Sequence, residues 1–285
     1  MPVQSAKPIC EVEVVQAPSM AGMLWLLHGF STRHGGVSTV YGGSGKAGDL
    51  NLGFTEADDR ANVETNRRLF LQAVTGDTHF PLITVRQVHS PTVRVVTAGE
   101  AETRTNLEEA DGLMTAEPGT LLGIQTADCI PVLVADRKRK AVAAFHAGWR
   151  GTVRRIVESG VVQMRSEFGS EPEDLIAAIG PGIGQCCYRV GEEVRNAFTS
   201  EFSYAADLFG EKAGEKALPS PGGGVSLHLD LVEANRRQLL DAGVAVSAIA
   251  VLNECTSCRR YRYFSYRAER GFTGRMLSVV GIRQG

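Results

Sequence analysis

The sequence has no excess of charge of either sign: 30 Lys and Arg stand against 32 Asp and Glu, a formal net charge of −2. That balance provides no basic field to hold a nucleic-acid backbone or an anionic membrane, so neither is an expected partner. Any anionic ligand must be met by a local group of cations. Long hydrophobic runs are missing as well. The apolar stretch MAGMLWLL, near residue 20, is short and lacks the cationic flank and small-residue cleavage pattern of an export signal. No stretch approaches the roughly 18 apolar residues of a membrane span, and a cytoplasmic location is expected. The six cysteines, at positions 10, 129, 186, 187, 255 and 258, are then reduced thiols and not a disulfide framework. No tandem repeat is evident.

What is present is an ordinary globular composition, 43% hydrophobic over 285 residues, enough to bury a sizeable core. LWLLHGFSTR reads as a strand entering a glycine-rich loop, HGGVSTVYGGSGKAGDLNLG, whose glycines permit positive φ and close backbone approach. Residues 56–74 read as a helix with acids in its first turn. LITVRQVH, TVRVVTA, DGLMT and LLGIQTAD read as strands, as do IPVLVAD and AVAAFHAG, which the basic turn RKRK joins into a hairpin. A second helix follows, with Thr152 as N-cap and Gly169 as stop. DLIAAIGPGIGQCCYRVG reads as a buried strand, a tight turn and a second short strand, followed by the helix EEVRNAF. LDLVEANRRQLLDAG is a helix ending at Gly243, and VSAIAVLNEC a strand. Residues 210–224 have the composition of a mobile loop. Grouped strands with interspersed helices predict an α+β fold: mixed, largely antiparallel sheets with helices packed outside, in a single elaborated domain over residues 1–285.

His89, Cys129 and His146 each sit just past a strand-like run, in RQVHS, TADC and AFHAG. Strand ends are where a rigid sheet can present side chains into a shared cleft. Two imidazoles and a thiolate suit zinc, and three protein ligands with a fourth position open is the catalytic pattern. The wide spacing leaves two other readings open. Cys129 can be a nucleophile with a histidine base oriented by Asp128 or the other histidine, or an inert buried cysteine beside unrelated histidines.

The motifs FSTRHGGVS, RQVHS, ADGLMT, TADCIPVLVAD, AAFHAGWRGT, IGPGIGQCCYRVG, LDLVEANRRQL and CTSCRRYRYFSYR, in this order, resemble the bacterial branch of the laccase-domain or polyphenol-oxidase family. Members of that family have been reassigned as zinc-dependent purine nucleoside phosphorylases, with activities extending to adenosine deamination and methylthioadenosine phosphorolysis. The resemblance runs from about Phe30 to Arg275. It implies one Zn²⁺ per chain held by His89, Cys129 and His146, purine nucleosides as substrates and inorganic phosphate as co-substrate. A second role proposed for bacterial members, a peptidoglycan-precursor editing hydrolase, would use the same site. A copper laccase is disfavoured, because its several copper centres need many more imidazoles than six histidines supply.

Phosphorolysis requires cations and a grip on ribose. Arg33, beside the Gly35 and Gly36 backbone donors, is the first phosphate candidate. Arg150, after HAGW, is a second. Asn51 and Gln87 offer amides for ribose hydroxyls or a purine edge, and Asp128 is a candidate acceptor for a ligating imidazole. The zinc deaminases use a glutamate as proton shuttle, and no glutamate here stands out for that role. Cys258 and the extra basic residues of CTSCRRYRYFSYR depart from the family pattern. A four-cysteine site built from Cys186, Cys187, Cys255 and Cys258 is the weaker expectation, since adjacent cysteines are awkward as two ligands of one ion, and thioredoxin-like use of CTSC is weak. The aromatic and arginine-rich tail is expected to pack and line the pocket. A non-catalytic interaction protein is the alternative from another class, and the intact triad argues against it.

Overall fold

The computed structural model describes residues 11–42, 48–98, 108–212 and 226–285. Two sheets dominate. One has five strands in the order Val14–Val15, Leu26–Ser31, Met276–Ile282, Thr120–Thr126, Leu82–Ile83, with only the last pair parallel. The other has six, in the order Ile249–Val251, Leu175–Ile179, Ile130–Asp136, Val142–Ala147, Gly112–Thr115, Val93–Val95, antiparallel except for its two outermost pairs.

Side-chain alternation sets the layers. In the hairpin Ile130–Asp136/Val142–Ala147 every residue is buried, because both faces of the sheet are covered. Leu133, Ala135, Val142 and Ala144 face Leu26, Leu122, Ile124, Val280 and Ile282 of the five-stranded sheet. Their neighbours Val132, Val134, Ala143 and Phe145 turn the other way, against the helices Ile156–Phe168, Glu192–Glu201 and Leu231–Asp241. The outer face of the five-stranded sheet, through Leu27, Leu121, Leu277 and Val279, is covered by Phe70 and Leu71 of the helix Arg60–Thr75. The expected α+β fold, with largely antiparallel sheets and outside helices, is the one adopted.

The basic tip of the hairpin is solvated: Arg137 to Lys140 are exposed, and Asp136 Oδ1 accepts the backbone N–H groups of Lys138 and Arg139 at 2.8 Å each.

Several local expectations shift. The first helix begins at Arg60, so Glu56, Asp58 and Asp59 precede it, and Asp58 instead accepts hydrogen bonds from Ser38, Asn51 and Asn62. Thr152 is not an N-cap but lies inside a short helix, Trp149–Val153; the next, Ile156–Phe168, starts after Arg155 at φ 60. Its end at Gly169, φ 67, is as expected. No second strand follows Leu175–Ile179, where turns and two isolated bridges, Gly182 to Cys255 and Arg189 to His228, take its place. The strand Phe209–Lys212, paired with Ser226–Leu229, takes in residues 210–212 of the expected loop 210–224, and residues 213–224 lie outside the described residues. The strand Met276–Ile282, buried along its whole length, lies at the centre of its sheet and was absent from the expected strands.

Candidate active site

The hairpin places two of the three candidate ligands side by side. His146 lies on Val142–Ala147 opposite Pro131, and Cys129 immediately precedes the partner strand. His89 enters from the segment before Val93–Val95, in a positive-φ conformation, φ 59. The ligand atoms of His89, Cys129 and His146 all lie within 4.8 Å of one another, with His89 Nε2 at 3.8 Å from Cys129 Sγ. The two imidazole rings are 4.9 Å apart at 67°. The group could therefore hold one metal ion, as the sequence pattern anticipated.

The residue that organises the group is Asp111, fully buried at the start of Gly112–Thr115. His146 Nδ1 donates to its Oδ1 at 2.8 Å, and the backbone N–H groups of His89 (2.9 Å) and Ser90 (2.6 Å) donate to the same carboxylate, with the Ser90 hydroxyl at 2.9 Å. A carboxylate only accepts, so this contact fixes the His146 proton on Nδ1 and leaves Nε2 as the ligand atom. Burial raises the Asp111 carboxyl, but His146 and the Ser90 N–H outweigh it and hold it down at about 2. Burial likewise raises the Cys129 thiol, and the neighbouring His146, then His89, override it to bring it to about 6. Opposing burial, Cys129 and Asp111 raise His146 to about 9, so a metal ion would take Nε2 by displacing a proton. The site is thus built to keep a thiolate, the form a metal requires.

Asp128, expected to orient an imidazole, does something else. At φ 92 it turns its carboxylate to the Thr256 hydroxyl (2.6 Å), the Ser265 hydroxyl (2.7 Å) and the Arg267 backbone N–H (2.6 Å). It anchors the loop that carries Arg267, and Asp111 takes the orienting role.

Gly148 completes the cradle: a Cβ there would lie 2.8 Å from His89 Cδ2 and 3.0 Å from Cys129 Sγ, so only glycine leaves the ligands room. The donor set, its thiolate and this clearance fit a zinc ion held by His89, Cys129 and His146.

The group opens into a cavity of about 800 Å³. Arg86, Arg150, Arg267 and Arg275 line it, while among the described residues its sole lining carboxylate is Asp128, which is already engaged. Aromatic surface comes from Phe54, Trp149, Tyr188 and Tyr266. Here the arginine-rich tail does pack and line the pocket: Tyr263 and Phe264 are core, while Tyr266, Arg267 and Arg275 reach the cavity.

The substrate-binding expectations divide. Arg150 lines the cavity with its guanidinium 4.4 Å from the centre of the Trp149 ring. Gln87 lines it too, but its amide is spent: Nε2 donates to Gln125 O and Oε1 accepts the Gln125 N–H, both at 2.7 Å. Asn51 is fully buried, its amide donating to Gly53 O and Asp58 and accepting the Arg275 N–H at 2.9 Å, so it positions Arg275 and faces no ligand. Arg33 is not among the cavity-lining residues. Its guanidinium donates twice to Asp49 (3.1 and 2.8 Å), to Glu269 (3.0 Å) and to Arg260 O (2.8 Å), which leaves no fork for phosphate. The neighbouring glycines serve chain crossing and not anion binding: a Cβ on Gly36 would meet Asp49 O at 2.2 Å, where the two short strands pair.

Two tail residues that sequence reasoning missed, Arg267 and Arg275, share the cationic lining with Arg86 and Arg150. Their signal was the alternation of arginines with aromatics in the tail. Asp111 had one as well, an acid directly before a wholly buried strand.

Among the described residues a second group of side chains brings its ligand atoms within 4.8 Å of one another: Cys186, Cys187, Cys255 and Cys258.

Known proteins are similar to this chain in sequence and in shape. The model of the family described as multi-copper polyphenol oxidoreductase laccase matches residues 27–283. The purine nucleoside phosphorylase YlmD of Geobacillus stearothermophilus is 37% identical over 276 residues, covering 94% of this chain and 93% of that protein. An adenosine deaminase, RL5, from an unknown prokaryotic organism is 34% identical over 86% of this chain and 92% of its own length. The crystal structure of YlmD from Geobacillus stearothermophilus matches with a TM-score of 0.78 at 35% identity, covering 99% of this chain and 98% of that one.

Proposed function

The chain belongs to the multi-copper polyphenol oxidoreductase laccase family, and we propose that it is a zinc-dependent purine nucleoside phosphorylase acting at His89, Cys129 and His146. The observation that carries this reading is the junction of that group with a cavity whose lining cations outnumber its carboxylates, in a chain with no net positive charge. A phosphate co-substrate needs such a local site, and the relative named purine nucleoside phosphorylase aligns over nearly its whole length. The copper chemistry of the family's description is not favoured. His28, His34, His79 and His228 stand outside the ligand group, so further copper centres lack imidazoles.

In this reading Arg150, Arg267 and Arg275 bind phosphate, since planar guanidinium forks match its oxygens. Trp149, Tyr188 and Tyr266 offer aromatic faces for a purine. Asp111 holds His146 and His89 in place, and Asp128 sets the loop bearing Arg267. The bound ion would supply Lewis acidity toward the reacting part of the nucleoside. The products are a free base and ribose 1-phosphate.

A second reading, adenosine deamination, is favoured by the relative RL5. Among the described residues no glutamate lines the cavity, so the usual proton shuttle of zinc deaminases has no counterpart there. The two activities separate in one assay. Adenosine and inosine are incubated with and without phosphate, and the products identified. Phosphate-dependent release of adenine and hypoxanthine with ribose 1-phosphate supports the proposal. Inosine formed from adenosine at equal rates with and without phosphate, with no base released, replaces it by deamination. Turnover of neither nucleoside overturns both.

A further inference from the structure

Away from the cavity, two loops bring together a second set of soft ligands. The strands Leu175–Ile179 and Ile249–Val251 run parallel and adjacent, so the segments that follow them leave the sheet at the same end. The first segment carries Cys186 and Cys187, the second Cys255 and Cys258. Their courses stay joined: Gly182 N–H donates to Glu254 O at 3.2 Å and Thr256 N–H to Gly182 O at 3.0 Å.

All four sulfurs lie within 4.8 Å of one another, Cys258 Sγ being 3.5 Å from Cys186 Sγ and 3.4 Å from Cys187 Sγ. Among the described residues none of the four forms a disulfide. Tetrahedral zinc, with Zn–S near 2.3 Å, sets its sulfurs about 3.8 Å apart. A disulfide needs a separation of about 2.05 Å. The observed spacing is that of a ligand shell and not of a bonded pair. The awkwardness of adjacent cysteines is removed by a tight turn: Cys187 N–H and Tyr188 N–H both donate to Gly184 O, at 2.9 and 3.0 Å, and both sulfurs reach Cys258. Gly184 N–H in turn donates to Cys255 Sγ at 3.3 Å, the kind of bond that steadies a metal-bound thiolate.

The geometry points to a second metal site: Cys186, Cys187, Cys255 and Cys258 form a closed four-thiolate shell for a soft divalent ion such as zinc. Four protein ligands leave no open position, so this ion is structural. Its place gives it a task. The first loop carries Ile183 and Tyr188 and the second continues to Tyr266 and Arg267, all on the cavity wall, and Arg267 ties back to Arg189 O at 2.8 Å. The ion pins the two loops that make that wall.

The test counts metal in the full chain produced with zinc, and needs no nucleoside. The parent is expected to hold about two zinc ions per chain, with Cys258→Ser and His146→Ala each falling to about one, from different sites. Two measurements on the parent alone guard against a misfolded variant. Chelation of the zinc-loaded protein is expected to raise the count of reagent-accessible thiols by at least four, and cobalt exchange to give thiolate-to-metal charge-transfer absorption well above that of a single thiolate ligand. A parent with about one zinc, which His146→Ala removes and Cys258→Ser keeps, overturns the proposal. So does a disulfide joining any two of these four cysteines in protein kept under reducing conditions.

Discussion

His146 Nδ1 sits 2.8 Å from Asp111 Oδ1, and the other imidazole of the group, His89, hangs from the same carboxylate by its backbone N–H. One buried acid thus orients both candidate histidine ligands. Asp111→Asn replaces acceptor lone pairs with an N–H₂ that faces donors. Zinc affinity, read by competition with a chelator, is expected to fall about 10- to 100-fold. Unchanged affinity would show that the carboxylate serves only the backbone.

Gly148→Ala is expected to expel or weaken the ion with little loss of fold stability. The new methyl would meet His89 Cδ2 and Cys129 Sγ, both part of the ligand group, and neither sheet core. Metal content and thermal unfolding measured together test this. A large drop in Tm with zinc retained contradicts it.

Cys129→Ser separates ligand from nucleophile. A serine hydroxyl stays protonated near neutral pH and is a harder, weaker donor, so metal and turnover are expected to fall together. Full zinc occupancy with turnover abolished, and a substrate adduct on Cys129 of the parent found by mass spectrometry, would make the thiol a nucleophile.

Two arginines are expected to behave oppositely. Arg150→Ala should raise the phosphate concentration needed for half-maximal rate by about tenfold or more, from the loss of one charge-assisted contact, and leave Tm near the parent value. Arg33→Ala should cost about 3 kcal/mol or more of stability, because Asp49 and Glu269 lose their shared buried partner. Phosphate saturation curves and denaturant unfolding of both variants decide it. A phosphate defect in a fully stable Arg33→Ala protein would reverse the assignment.

His28 gives a pH signature remote from the site. It is buried, burial lowers its pKa, and Ala17 N–H points at its Nε2 at 3.1 Å, so a proton there would meet another N–H. The folded-state pKa lies below the unfolded value of about 6.5. Its contribution to stability is therefore complete above that value and is lost as the pH falls toward the folded pKa. His28→Gln is expected to flatten the loss of Tm between about pH 7 and 5. An equal slope in variant and parent would remove His28 as its source.

The sequence made the triad legible because each member closes an apolar run, and strand ends converge in a sheet. It hid Asp111, whose role arises only when the backbone N–H groups of residues 88–90 turn onto its carboxylate. Arg33 was misread for a similar reason. Its partners Asp49 and Glu269 are distant in sequence, so a satisfied buried guanidinium looks like a free one in a glycine-rich loop. The layered fold was readable from composition and strand grouping. The starts of the helices Arg60–Thr75 and Ile156–Phe168 were not, because Asp58 is drawn into side-chain bonds with Ser38 and Asn51 and Arg155 interrupts the helical run at positive φ. The four cysteines were undervalued because adjacency in sequence says nothing of the tight turn that reconciles them.

The strand Met276–Ile282, buried between Leu26–Ser31 and Thr120–Thr126, imposes an order on folding. The six-stranded sheet can start from a local hairpin, Ile130–Asp136 with Val142–Ala147, at small loop-closure cost. The five-stranded sheet has a local pair only at its edge, Val14–Val15 with Leu26–Ser31: its middle is empty until residues 276–282 emerge from the ribosome and insert. Until then Leu26–Ser31 and Thr120–Thr126 each present an unpaired apolar edge, the kind of surface that chaperones shield and that neighbouring nascent chains can capture. Slow, late closure of this sheet, and a propensity of chains cut before residue 276 to aggregate, are built into the topology.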